Sequence, residues 1–372
     1  MRDIWLPPGR DLRWTHWIPR RLARLTRPPP KLVFSPNPAF LSLPSQPSFN
    51  ATPILLFSSP RDSLTTCELI ALSSWDLLRR HFHMATMLYT TSPELMTKLA
   101  ARGNAVNNEY ILRCGVPFLR SVFSMSEDHL RYNLPSTPLA MYTNGDIMFF
   151  PDLLQTAEAC LDFARAQGKS LLVTGRRVNI YPEQVPLLST PEGLDSPSPI
   201  SEEWFLDPDT PADIRERGEL FTNDAQDYFL FTPGLFDYPK VPEFMLGRVA
   251  FDNWLVWYGN YQPDKVVIID ATRTLTAMHI NHDGATRHAS HTRFGHSRSR
   301  GWCSPARVEH GPLHPEQAGG PRAALTKTDA ISYYTAWAGD DPRSGLIEIR
   351  DRREDHQPAA TPTPAPAPAP AQ

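Results

Sequence analysis

LAMYTNGDIMFFPDLL, residues Leu139–Leu154, decides how the rest of the chain is read. The apolar run Leu139-Ala140-Met141-Tyr142 stops at Thr143-Asn144-Gly145-Asp146, and a second apolar run, Ile147–Phe150, follows. Pro151 then stands where a first helical residue belongs, and Asp152 places negative charge in the first turn. The pattern predicts a buried strand, an acidic turn at its carboxyl end, and a helix. Ligand sites of α/β proteins collect outside the carboxyl ends of the strands. Asn144 and Asp146 there offer hard oxygen ligands to Mg²⁺ or Mn²⁺. Asn-Gly is equally a hairpin-turn dipeptide, and Asp beside Gly is common in plain turns, so the stretch needs its context.

Working outward, strands and helices alternate. TPILLFSSP (52–60) reads as a first buried strand, and Thr65-x-x-Glu68 as a capping box opening a helix with Leu69, Leu72, Trp75 and Leu78 on one face. Ala85–Tyr89 reads as a second strand, and Ser92-Pro93-Glu94 opens another helix that Gly103 ends. NAVNNEYILRCG (104–115) reads as a short strand and loop, and Val116–Arg131 as an amphipathic helix. A helix from Pro151 to about Gly168 and the strand Ser170–Thr174 follow the central strand. Further on, Asp227–Phe231 resumes the alternation, a helix starts near Val249, and Lys265–Asp270 is a last buried strand. This alternation predicts an α/β, Rossmann-like domain with a mainly parallel sheet and helices on both faces.

Three stretches fall outside the pattern. Residues 1–48 are rich in Arg, Trp and Pro; they read as a flexible basic extension, with Trp14, Trp17 and Ile18 among arginines as the elements of a short amphipathic segment. Residues 179–222 are Pro-rich and acidic with few apolar clusters, and read as a loop insert. Residues 297–372 read as an irregular tail with one element at Asp329–Trp337 and a polyproline-prone end, TPTPAPAPAPAQ. The expected domain therefore spans 49–296.

Composition narrows the class. The chain has 372 residues, 41% of them hydrophobic and 21% charged, enough for a substantial core. A net charge of −3 gives no argument for nucleic acid or an anionic membrane as partner. There are 39 prolines, about twice the usual ~5%, concentrated in the ends and the insert. Cys67, Cys114, Cys160 and Cys303 form no CxxC pair and read as thiols of a soluble intracellular protein. No window of about 18 apolar residues spans a membrane, and the start lacks the apolar region of a signal peptide.

Four clusters of chemistry-bearing residues fall at or beside expected strand ends. The first is Asn144/Asp146. The second, Gly175-Arg176-Arg177 after LLVT, offers two guanidinium forks to phosphate oxygens, or is a pair of surface arginines. The third is GRVAFDNW (247–254), with Arg248, Asp252 and Asn253. Asp252 can take a proton from a hydroxyl nucleophile if burial tunes it, or simply cap a helix. Asp227 is a second candidate carboxylate. The fourth is HINHD (279–283), where His279 or His282 can join a metal shell, or which is a solvated His-rich loop. Their order, an acidic turn, then arginines, a carboxylate and histidines, suits a metal-bound diphosphate.

Taken in order, MYTNGDIMFF, LLVTGRR, DYFLF, GRVAFDNWLV, VIIDAT and HINHD resemble the nucleotide-diphospho-sugar transferase-like family, glycosyltransferases of the GT-A fold. The resemblance covers roughly residues 50–290, and GRxxxDNW and HxNHD are its most specific parts. It implies that Asn144-x-Asp146 takes the place of the D-x-D metal motif, with Asn at its first position. It implies a catalytic carboxylate at Asp252 and a late metal-ligand histidine at His279 or His282. The expected activity is transfer of a sugar from a nucleotide-sugar donor to a hydroxyl acceptor, assisted by Mn²⁺ or Mg²⁺. Asn144, Asp146, Arg176, Arg177, Arg248 and Asn253 would face the donor. Two other readings stay open: a metal-dependent hydrolase built on the 279–283 cluster, and a non-catalytic descendant that binds a sugar or nucleotide.

Overall fold

A computed structural model describes residues 33–34, 52–113, 116–189, 193–195, 198–223, 225–247, 251–281, 328–344 and 346–355. All of these lie in one compact unit; most of the expected 1–48 extension lies outside the described residues.

In chain order the elements begin with β1 (Val33–Phe34), β2 (Ile54–Ser58), α1 (Thr66–Phe82), β3 (Ala85–Tyr89), α2 (Pro93–Ala101) and β4 (Ala105–Asn107). A short hairpin, β5 (Leu112–Arg113) and β6 (Val116–Pro117), leads into α3 (Leu119–Asn133). The acidic turn joins β7 (Leu139–Thr143) to β8 (Ile147–Phe149), and α4 (Asp152–Ala166) follows. Then come β9 (Ser170–Thr174), β10 (Val178–Ile180), α5 (Glu202–Leu206), α6 (Thr210–Arg217), β11 (Glu219–Leu220) and β12 (Tyr228–Phe231). The last are α7 (Phe251–Tyr261), β13 (Val266–Asp270), β14 (Ala277–Ile280), β15 (Tyr333–Trp337), β16 (Ile347–Asp351) and α8 (Arg352–Asp355).

The main sheet has the order β1-β16-β15-β13-β9-β12-β7-β2-β3-β4. It is mostly parallel, as expected, but mixed, with β12 and β16 running against the other strands. β2 pairs parallel with β3 and β7, and β13 with β9 and β15, but β12 runs antiparallel to both β7 and β9. A second sheet, β11-β10-β14-β8, sits beside it.

Strand alternation explains why both faces are covered. Ile54 and Leu56 of β2, with Val267 and Ile269 of β13, join the core that contains α1, α2 and α4. Leu55, Phe57, Val266 and Ile268 point the other way, into the core under α3 and α7. Continuous apolar runs are what a strand buried on both faces requires. Helix α1 starts as the sequence predicts, with the Thr65 hydroxyl accepting from the Glu68 backbone N–H and Glu68 reaching back to Thr65.

Two expectations are corrected. The 179–222 stretch is built of β10, α5, α6 and β11, and sends Ile180, Phe205 and Ile214 into the core. The region after 296 contributes β15 and β16 to the main sheet, anchored where Arg352 pairs with Asp270 at the end of β13. Helix α3 also begins three residues later than expected, because Val116–Pro117 is used in the hairpin. Among the described residues no helix is long and apolar enough to cross a membrane.

Candidate functional site

Reversal of β12 assembles the site. Its register sets Tyr228 opposite Thr143 of β7 and Phe229 opposite Thr174 of β9. The residue before β12, Asp227, therefore meets the residues that follow β7 and β9. The Asn144 backbone N–H donates to the Asp227 carbonyl (2.9 Å), and its side-chain amide donates to Asp227 Oδ1 (2.7 Å). Arg177 Nη1 donates to both Asp227 carboxylate oxygens at 2.8 Å. Both partners are largely buried, with side chains 13% and 7% exposed. The Arg177 guanidinium is further fixed by Asn179 Oδ1 at 3.0 Å from Nε and by the Phe221 ring 3.9 Å beneath it.

The small sheet supplies the other half. Antiparallel pairing of β14 with β8 sets His279 opposite Ile147, beside Asp146, and parallel pairing with β10 sets it beside Asn179. His279 Nε2 lies 3.5 Å from Asp146 Oδ2. Burial alone would raise the Asp146 carboxyl, but the hydrogen bond and charge of His279 and the Arg177 guanidinium outweigh it, and the carboxyl is held below its ordinary value. Cys67, in the first turn of α1, donates to the Ile280 carbonyl (3.5 Å). Burial first, then the charges of Asp146 and Glu68, push its thiol up to about 11, so it is no nucleophile at neutral pH.

Asp252 sits in the first turn of α7, half-buried, and accepts from the Gln226 backbone N–H at 3.3 Å. Burial is the main cause that raises its carboxyl to about 6; backbone N–H groups of Asn253 and Gln226 hold it down, and neighbouring Asp227 pushes it up. The buried phenol of Tyr142, at the end of β7, reports the common ground. Burial and then the charges of Asp227, Asp146 and Asp252 all raise it. That hydroxyl donates to Asn144 Oδ1 at 3.1 Å.

Two turns are tightly fitted around the cluster. A Cβ on Gly145 would lie 3.3 Å from both Glu68 Oε1 and Pro60 Cα, so the acidic turn packs against the capping box of α1. A Cβ on Gly175 would meet the Tyr228 hydroxyl at 2.3 Å and the Thr272 backbone nitrogen at 2.9 Å, so only glycine passes there. Thr272 accepts the Arg176 N–H at 2.9 Å and donates to Asp270 at 2.5 Å, tying the Arg176 turn to the end of β13.

The expected residues thus separate into groups. Asn144, Asp146, Arg177, Asp227, Asp252 and His279 come together. Arg176 turns its Nε to the Phe221 carbonyl (2.6 Å) instead, and Asn253 is buried in α7, contributing a backbone N–H to Asp252. Arg248, His282 and Asp283 lie outside the described residues. Tyr142, Asn179, Phe221 and Gln226 were not singled out from sequence. The alternation Val178-Asn179-Ile180 was a usable signal for Asn179; nothing local marked Phe221.

Asp146 and His279 fit a divalent cation as a partial ligand set. Two atoms bound to one such ion stand about 3 to 3.5 Å apart, and hard cations commonly take only one or two protein ligands beside phosphate and water. Among the described residues no three His, Cys, Asp or Glu side chains form a metal cage by themselves. The chain matches no protein-family model, and no curated protein matches it.

Proposed function

We propose that the chain is a GT-A-like glycosyltransferase that moves a sugar from a nucleotide diphosphate donor to a hydroxyl acceptor. The observation that carries this reading is the gathering of Asn144 and Arg177 on Asp227, with Asp146 beside His279, beyond the carboxyl ends of the parallel strands β7 and β9. Such strand-end crevices suit nucleotides. The reversed β12 between β7 and β9, and the acidic turn directly after β7, support the GT-A form of the fold.

Asp146 and His279 would hold Mn²⁺ or Mg²⁺, which when bound supplies positive charge to the leaving diphosphate. Arg177, pinned by Asp227, Asn179 and Phe221, brings a second positive charge that needs no reorganisation as the phosphate oxygens gain charge. Asp252, raised to about 6, is ionised at neutral pH yet more basic than an ordinary carboxylate. In an inverting transfer it takes the acceptor hydroxyl proton as the acceptor oxygen bonds to the sugar carbon and the bond to phosphate breaks. In a retaining transfer it orients the sugar.

One observation favours a second reading. Both ends of the Asn144 amide are engaged, by Tyr142 and Asp227, which suits a binding module that has given up the first metal carboxylate. Calorimetric titration of UDP and GDP, with and without Mn²⁺, on wild type and Asp146→Ala, tests the transferase. Metal-dependent binding lost in the variant is expected. Absence of binding by folded protein in every condition overturns the reading.

A further inference from the structure

Thr328, which leads into β15, is a node of hydrogen bonds and is 1% exposed. Its backbone N–H (3.0 Å) and its hydroxyl (2.9 Å) both donate to the Asn223 carbonyl. The Gln226 side-chain amide donates to the same oxygen at 3.0 Å, so three donors meet at an acceptor with two lone pairs. The carbonyl of Thr328 in turn accepts from Arg352 Nη1 (2.8 Å), and the same guanidinium pairs with Asp270 at the end of β13. Beside Thr328, Asp329 Oδ2 accepts from Asn223 Nδ2 at 2.8 Å, and the Ala330 carbonyl accepts from Asn260 of α7 at 3.3 Å. Residues 328–330 thus tie Asn223 and Gln226 to β13 and to α7.

Gln226 carries this anchorage to Asp252. Its backbone N–H donates to Asp252 Oδ2 at 3.3 Å. The other backbone N–H groups acting on that carboxylate, those of Asn253 and Asp252, belong to α7 itself. Gln226 is therefore the contact through which a second segment of the fold sets where the carboxylate stands. Its side chain is 2% exposed, and Oε1 has no partner among the described residues. A buried amide with one end unsatisfied is costly, and an apolar side chain of the same length would fill the space without that penalty. What the amide contributes is the Nε2 bond that holds residue 226 to the Thr328 node.

We propose that Gln226 and Thr328 are positioning residues for Asp252, so that the β15–β16 strand pair fixes the N–H its carboxylate meets. That Asp252 then acts as a base rests on the transferase reading; that its carboxylate is held in this way does not. The consequence is readable in titration. The N–H groups of Gln226 and Asn253 favour the ionised carboxylate, and Asp227 at the start of β12 opposes it. The Tyr142 phenol of β7 is a further titratable group that feels its charge. Loosening Gln226 removes a donor and leaves the opposing charge, so the carboxyl titrates higher.

The test is a pH titration of the Asp252 carboxyl by carbon NMR, on the full chain labelled at its aspartate carboxyls. The resonance is the one missing from Asp252→Asn. Gln226→Met and Thr328→Val each remove one donor at nearly constant volume, and Thr328→Ser keeps the hydroxyl. Gln226→Met and Thr328→Val are expected to titrate at least roughly 0.5 pH unit above wild type, and Thr328→Ser with wild type. Unmoved midpoints in folded variants, or an equal shift in Thr328→Ser, overturn the proposal. Calorimetric titration of UDP with Mn²⁺ into wild type runs beside it. Absence of UDP binding counts against the transferase reading, and the NMR result still decides whether Gln226 and Thr328 position the carboxylate.

Discussion

Nη1 of Arg177 lies 2.8 Å from both carboxylate oxygens of Asp227, in a pair that joins the turn after β9 to the start of β12. Removing one partner strands the other charge in a largely buried place, which costs about 3–5 kcal/mol, whereas replacing both by apolar groups costs far less. Arg177→Met and Asp227→Leu should each lower the urea midpoint markedly. The double variant should recover much of the loss. Equal and additive losses would show that the two side chains are not coupled.

Asp146 makes a pH-dependent contribution whose sign follows from its lowered carboxyl. A group held below its unfolded value of about 4 adds stability above that pH and loses it as pH falls through the folded value. Asp146→Asn should therefore be less stable than wild type at neutral pH, and the gap should shrink as pH falls below the usual carboxylate range. Thermal midpoints of both proteins across that range check this. A gap that persists unchanged in acid would assign the effect to packing instead of charge.

The contact between Gly175 and the Tyr228 hydroxyl predicts a mutational coupling. A Cβ at 175 would stand 2.3 Å from that oxygen, and overpacking of this kind typically costs about 1–3 kcal/mol. The hydroxyl itself has no hydrogen-bond partner among the described residues, so Tyr228→Phe alone should change stability little. Adding Tyr228→Phe to Gly175→Ala should restore part of the lost stability, although the Thr272 backbone at 2.9 Å remains in the way. A double-mutant cycle by chemical denaturation measures the coupling.

Much of this arrangement was legible because it is local. LAMYT and SLLVT are apolar runs ended by turn residues, and Thr65-x-x-Glu68 carries its helix start in its own side chains. Asn144, Asp146, Asp227 and Asp252 stood out by their position at run ends. Direction was not legible: DYFLF has the same composition whichever way it runs, yet its reversal is what brings Asp227 to Arg177. The small sheet was hidden for a related reason. Its strands are two to four residues long, too short to show a period, and they pair across large sequence separations. Likewise α5 and α6 bury Phe205 and Ile214 almost singly, among prolines and acids, so 179–222 looked patternless. β16 alternates buried and half-exposed residues in a charged string, IEIRD, which resembles ordinary surface until β15 lies beside it.

Asp252 gives the sharpest functional prediction, because stability and activity should respond in opposite directions. Burial raises its carboxyl to about 6, so the folded protein favours the protonated form more than the unfolded chain does. Its cost to stability therefore builds as pH rises from about 4 to about 6, is complete above that, and is nil below about pH 4, where both states are protonated. A shift of this size corresponds to roughly 2–3 kcal/mol at neutral pH. Asp252→Asn, which cannot ionise, should be more stable than wild type at pH 7.5 and no different at pH 4. Transferase turnover should move the other way. Wild-type kcat/KM should fall as pH drops through about 6, and the variant should lose about 10²–10⁴-fold with no such inflection, as expected when a general base is removed. Denaturation curves and initial rates on the same two proteins decide it. A variant that gains stability and keeps its turnover would leave Asp252 a half-buried carboxylate without a catalytic part.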